Sequence, residues 1–134
     1  MSRKQSREIT YRLLFSLSQP DGDSLALVCA SEQPTGPELA YIKELCAAAI
    51  DNLEKIDEII KSHSKGFAFD RIFKTDLTAL RMGIAELKFF GKRTPAVVAV
   101  NEAVEIAKKY GTEKSGGFVN GILAAVLAQM TDDK

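Results

Sequence analysis

The sequence predicts an all-α protein, a compact bundle of about six or seven helices. Apolar residues recur at steps of three and four along nearly the whole chain. No segment alternates with period two, so strands are not expected. Gly, Pro, Ser and Thr fall between the periodic stretches, where helix starts and stops belong.

The elements follow in order. Ile9, Leu13 and Leu17, with Leu14 alongside, define a first helix that Pro20, Asp21 and Gly22 end. "SLALVCA" reads as a short helix, and "QPTGP" as a loop whose Pro37 suits a first helical turn. Leu39, Ile42, Cys46, Ala49, Leu53, Ile56 and Ile60 form one stripe, which predicts a single long helix ending before Gly66. "GFAFDRIF" is apolar and irregular, a turn or short helix plugging the core. Thr75 is placed to cap the next helix, with Asp76 near its positive end. Leu77, Leu80, Ile84 and Leu87 continue that helix up to Gly91. Thr94 and Pro95 open another, which Lys108, Lys109 and Gly111 close. Ser115 caps a last helix with Phe118, Ile122, Val126 and Met130 on one stripe.

The 134 residues read as one domain, 1–134, and are enough to bury a core. The chain is 46% apolar and 27% charged, as expected of a soluble globular protein. No apolar run approaches the roughly 20 residues of a membrane span. The basic start "MSRKQSREI" lacks the apolar centre of an export signal. Cys29 and Cys46 are therefore expected as buried thiols in a cytoplasmic protein.

Catalytic raw material is scarce. His63 is the only histidine and falls at a helix end, where a surface role is expected. No Cys/His cluster has metal-ligand spacing, so no metal site or cofactor is expected. Asp57–Glu58 and Asp132–Asp133 are adjacent carboxylates that do not share a helix face, and they read as solvated charges. "YGTEKSGGFVN" spaces Gly111 and Gly116 like the first glycines of a P-loop. Gly117 and Phe118 then stand where lysine and a hydroxyl residue are required, so phosphate and magnesium have no ligands. A binding module fits better than an enzyme.

Net charge is zero but unevenly spread: +3 over residues 1–12, −5 over 13–87, +3 over 88–114 and −1 over 115–134. Two basic segments that meet in space would form an anion-binding patch; apart, they are ordinary surface charge. In the bend before the last helix, Gly116 and Gly117 would permit a sharp turn that exposes Lys114. Phe118 reads either as a base-stacking ring beside cations or as the first core residue of its helix. Asn101 and Asn120 lie within helices and are expected to hydrogen-bond locally.

"TPAVVAVNEAVEIAKKYGTEKSGGFVNGIL" resembles the C-terminal signature of the NusB family of transcription antitermination factors. "TDLTALRMGIAEL" resembles that family's aspartate, leucine-arginine, glutamate-leucine helix, and "SRKQSREITYRLLFSL" its basic N-terminal helix. The resemblance runs over about residues 3 to 127. It implies two small helical subdomains and binding of boxA RNA together with NusE, a small-subunit ribosomal protein. It also implies entry into an RNA polymerase antitermination complex that supports processive transcription of ribosomal RNA operons. By position, Arg3, Lys4 and Arg7 stand at the basic start. Lys108, Lys109, Lys114 and Phe118 stand at the second RNA-facing segment. Asp76, Leu80 and Glu86 stand where NusE would dock.

The sequence departs from the family pattern in three places. It has fewer N-terminal arginines, Gly83 where alanine is commoner, and "GFAFDRIF" in place of a tryptophan-containing segment. Gly83 is expected to weaken its helix by about 1 kcal/mol. The rival reading is the NusB-like RNA-targeting module of RNA cytosine methyltransferases, and an end at Lys134 disfavours it. A third reading is a helical homodimer with no RNA role, and Phe67, Phe69 and Phe73 are the apolar residues that could support self-association.

Overall fold

The computed structural model describes residues 2–17, 33–64, 66, 68–91 and 93–132. The predicted "SLALVCA" helix and Cys29, Lys65, Phe67 and Lys92 lie outside them. The described residues form six α-helices and one short 3₁₀ turn: α1 Arg3–Leu17, α2 Gly36–Asp51, α3 Leu53–His63, the turn Phe69–Arg71, α4 Lys74–Lys88, α5 Ala96–Tyr110 and α6 Ser115–Asp132. No strand occurs among them.

Two packing groups share one central helix. α1 and α2 lie against each other and against α4; α4, α5 and α6 pack as a three-helix unit; α3 packs against α4 and α6. Ile9, Leu13 and Ile42 make a small separate cluster between α1 and α2, with Cys46 packed against it. The main core runs from Tyr11 through Leu45, Ile56, Leu80 and Ala103 to Val126 and so joins every helix.

The long helix predicted from Leu39 to Ile60 is two helices. The chain breaks at Asn52, whose side-chain amide donates to the Ala48 carbonyl at 2.8 Å. That bond competes with the helical ladder. After the break Ile56 and Ile60 are fully buried, whereas Leu53 of the predicted stripe is left exposed.

The caps also differ from expectation. α4 begins at Lys74, with the Phe73 carbonyl accepting from Leu77 N–H at 2.8 Å, so Thr75 is inside the helix and does not cap it. Thr94 does not cap α5; its hydroxyl is used elsewhere. Pro37 does sit in the first turn of α2. Gly83 is a packing feature more than a weakness. A Cβ there would lie 3.0 Å from Leu123 Cδ1 and 3.1 Å from Ala103 Cβ, so its absence lets α4, α5 and α6 approach closely.

Among the reserve candidates for chemistry, His63 Nδ1 lies 2.9 Å from the Ile59 carbonyl at the end of α3. Asp57 is not simply solvated: its carboxylate takes two bonds from the Arg81 guanidinium, both at 2.9 Å, and ties α3 to α4. Asn101 and Asn120 are exposed. No helix among the described residues is long and apolar enough to cross a membrane, and no three His, Cys, Asp or Glu side chains gather as a metal would need.

Candidate nucleic-acid interface

The basic start of α1 is set against its own helix. Cations in a first turn oppose the helix dipole, each by about 0.3–1 kcal/mol. A reciprocal capping box offsets this. Ser2 N–H donates to Gln5 Oε1 at 2.8 Å, and Gln5 N–H to Ser2 Oγ at 3.1 Å. The box fixes the turn that carries Arg3 and Lys4, both exposed. The Arg3 guanidinium carbon lies 4.0 Å from the Tyr41 ring centroid.

The second basic segment comes to the first. Tyr110 stacks on Tyr11, centroids 4.9 Å apart, and its hydroxyl donates to Glu8 Oε1 at 2.7 Å. Lys109 pairs with the same carboxylate. Burial alone would raise the Glu8 carboxyl, but the bonds from Lys109 and Tyr110 outweigh it and hold the group below its ordinary range. Glu8 and Tyr11 on α1 are therefore joined to the end of α5. Lys108 is exposed there, 3.5 Å from Glu105.

The bend between α5 and α6 is made by residues 111–114, and Gly116 and Gly117 are already helical. The glycine the turn requires is Gly111, where a Cβ would sit 2.2 Å from Ser115 Oγ. Ser115 Oγ accepts from Thr112 N–H at 2.8 Å, and Thr112 Oγ1 from Lys114 N–H at 3.2 Å. These bonds hold Lys114 exposed at the mouth of α6. Phe118, one turn further, is half-buried and packed against the main core.

Arg7 is the exception among the sequence-predicted contacts. It is 4% exposed. Its guanidinium meets the Glu86 carboxylate through Nε at 2.9 and 3.1 Å and through Nη2 at 2.8 Å, with Glu102 at 3.6 Å from Nη1. Tyr41 donates to Glu86 Oε2 at 2.8 Å and Thr94 at 2.7 Å. Burial would raise the Glu86 carboxyl, yet the bonds from Arg7, Thr94 and Tyr41 hold it low. Arg7 is thus a tie between α1, α4 and α5, its charge already matched out of water.

The three positions expected at a partner surface also move inward. Asp76, Leu80 and Glu86 are 5%, 0% and 1% exposed. α4 is surrounded by α1, α2, α3, α5 and α6, and only Lys74 and Lys88 along it are exposed. The sequence carried one signal of this that was missed. Met82 to Leu87 is apolar on every side except Glu86, and a carboxylate in such a setting requires a buried partner.

Residues 4–128 match the model of the NusB family. The transcription antitermination protein NusB of Agathobacter rectalis is 40% identical over 129 residues, 92% of this chain and 98% of that protein. The one from Natranaerobius thermophilus is 38% identical and spans 97% of both. The fold agrees with T. maritima NusB at a TM-score of 0.83, 30% identity, 94% of this chain and 90% of that one. It also agrees with a crystal structure of the antitermination factors NusB and NusE in complex with dsRNA, at a TM-score of 0.81, 30% identity, 92% of this chain and 94% of that one. The family match over residues 4–128 and the full-length likeness at this level place the chain in the NusB family.

Proposed function

We propose that this chain is a non-enzymatic transcription antitermination factor that binds boxA-type RNA together with NusE. In this reading it joins an RNA polymerase antitermination complex and supports processive transcription of ribosomal RNA operons. One observation carries the reading: Tyr110 stacks on Tyr11 and bonds Glu8, which joins α1 to the end of α5, so Arg3, Lys4, Lys108, Lys109 and Lys114 can face one RNA strand. Lys109 and Lys108 keep exposed ammonium groups beside their carboxylate partners. Such surface pairs are weak enough for a phosphate to displace.

NusE docking near α4 would use the exposed Phe73 and Lys74 at its start, since Asp76, Leu80 and Glu86 are buried. Phe73 is 62% exposed. The same ring is the candidate for self-association; Phe69 is half-buried, with Lys61 5.1 Å from its ring centroid.

The test is a titration of boxA-type RNA and a scrambled control, with and without NusE, over a range of salt. Preference for boxA that strengthens with NusE supports the reading. Each neutralised phosphate of a single strand adds about −0.7 to the log–log salt slope. Equal, weak binding to both RNAs in both conditions would refute it.

A further inference from the structure

Arg3 faces two ways. Besides the basic strip, it borders a cleft of about 310 Å³ between α2 and the α4–α5 connection. That volume is at the small end of the roughly 300–1,000 Å³ typical of ligand sites. Tyr41 and Phe90 form its wall, edge to face with centroids 5.3 Å apart. Each ring carries a guanidinium. Arg3 lies over Tyr41, and Arg93 over Phe90 with its guanidinium carbon 4.1 Å from the ring centroid. A smaller hollow of about 210 Å³, lined by Arg3, Ser6, Pro37 and Glu38, adjoins on the other side of Arg3.

We propose that this cleft holds one nucleotide of the bound RNA, its base stacked on the Arg93 guanidinium and its phosphate between Arg93 and Arg3. This extends the RNA path from α1 to the α4–α5 connection and rests on the RNA-binding reading above. The chemistry follows from which groups are already used. The Tyr41 and Thr94 hydroxyls are committed to Glu86, so they do not read a base edge. Two guanidiniums line the cleft, that of Arg93 shared with exposed Glu44, and guanidinium planes stack on unpaired bases while their N–H groups bind phosphate. The aromatic rings behind hold the guanidiniums at 4.0 and 4.1 Å, which lowers the ordering needed on binding. The wall therefore favours a nucleotide without selecting its sequence.

Glu44 is the competing group. It pairs with Arg93 across the cleft, with side chains 48% and 54% exposed. A pair so exposed is weak and is readily exchanged for a phosphate. Glu44 holds Arg93 in place in the free chain and gives it up to RNA.

Three variants of the full chain test this with a short boxA-type RNA, read by fluorescence anisotropy across salt. Arg93→Ala is expected to weaken binding about tenfold and to reduce the salt slope by about 0.7. Arg93→Lys restores the slope but not the affinity, because an ammonium neither stacks nor forks. Glu44→Gln tightens binding several-fold by removing the competitor. Both positions are exposed, so melting curves should match wild type and exclude misfolding. Wild-type affinity and slope in Arg93→Ala would overturn the proposal. So would normal RNA binding with lost NusE affinity by calorimetry, which would make the cleft a protein contact. Failure of the wild-type chain to bind boxA RNA would instead remove the RNA-binding reading itself, and the cleft proposal with it.

Discussion

Arg7 and Lys109 come one from each basic segment of the sequence, and each is paired with a glutamate, yet they belong to opposite parts of the molecule. Arg7 is held by Glu86 in a site where both side chains are at most 5% exposed. Lys109 meets Glu8 with 62% of its side chain in solvent. The first pair is desolvated and surrounded by further donors, so neither charge can leave without stranding the other. The second keeps its ammonium largely in water, although its Glu8 partner is only 19% exposed, so the lysine's charge remains available to a ligand. Formal charge at a sequence position does not say which of these a cation will be; the neighbouring helices decide it.

The sharpest way to break this contrast is to delete Arg7. Arg7→Ala leaves the Glu86 carboxylate buried and unmatched and should lower stability by about 3–5 kcal/mol, read by urea denaturation. Any loss of RNA binding should then track the unfolded fraction. A stable variant with specifically reduced RNA affinity would return Arg7 to the RNA surface.

Acid titration probes the same site without deleting a partner. Glu86 sits below its ordinary range when folded and returns to about 4.3 when unfolded. Its contribution is therefore complete above the unfolded value and is lost as pH falls through the lower folded value. Glu8 shifts in the same direction and adds to the effect. Wild type should lose stability steeply over that acidic window, and Glu86→Gln, less stable at neutral pH, should show a shallower slope. Equal slopes would mean the carboxylate is not held charged.

Phe118 stands between the two regimes, packed on the core yet only half-buried. Phe118→Ala should lower stability by less than the about 3–5 kcal/mol of a fully buried ring. It should also weaken RNA binding in the folded fraction, measured by parallel melting and titration. A large stability loss with unchanged RNA affinity would assign the ring wholly to the core.

The smallest effect is expected at Lys109. Lys109→Ala should change stability by no more than about 1 kcal/mol while flattening the salt dependence of RNA binding by about 0.7. A stability loss approaching that of Arg7→Ala would erase the distinction drawn between the two pairs.

Much of the fold was legible because helix formation is local. The three-four spacing on α1, α4, α5 and α6 reports which face meets the core. The break at Asn52 was not legible, since the apolar stripe continues across it and only the bond to Ala48 and the turning-out of Leu53 reveal it. At the candidate interface, Arg3, Lys4, Lys108 and Lys114 are exposed as their positions implied. Arg7, Asp76, Leu80 and Glu86 were misread as surface because a helical position gives no exposure until its neighbours are known.

By itself the sequence determined the helical periodicity, the uneven charge, the absence of P-loop chemistry in "YGTEKSGGFVN" and the signature of the NusB family. Those are properties of neighbours within a few residues, which propensity and spacing encode directly. Only the tertiary structure decided that Glu86 gathers Arg7, Tyr41 and Thr94, that Glu8 binds the end of α5 to α1, and that Arg3 and Arg93 meet across one cleft. These groups are brought together from helices up to about a hundred residues apart by packing around α4. The burial that packing imposes, more than the residue types, separates a structural charge from one left free to bind.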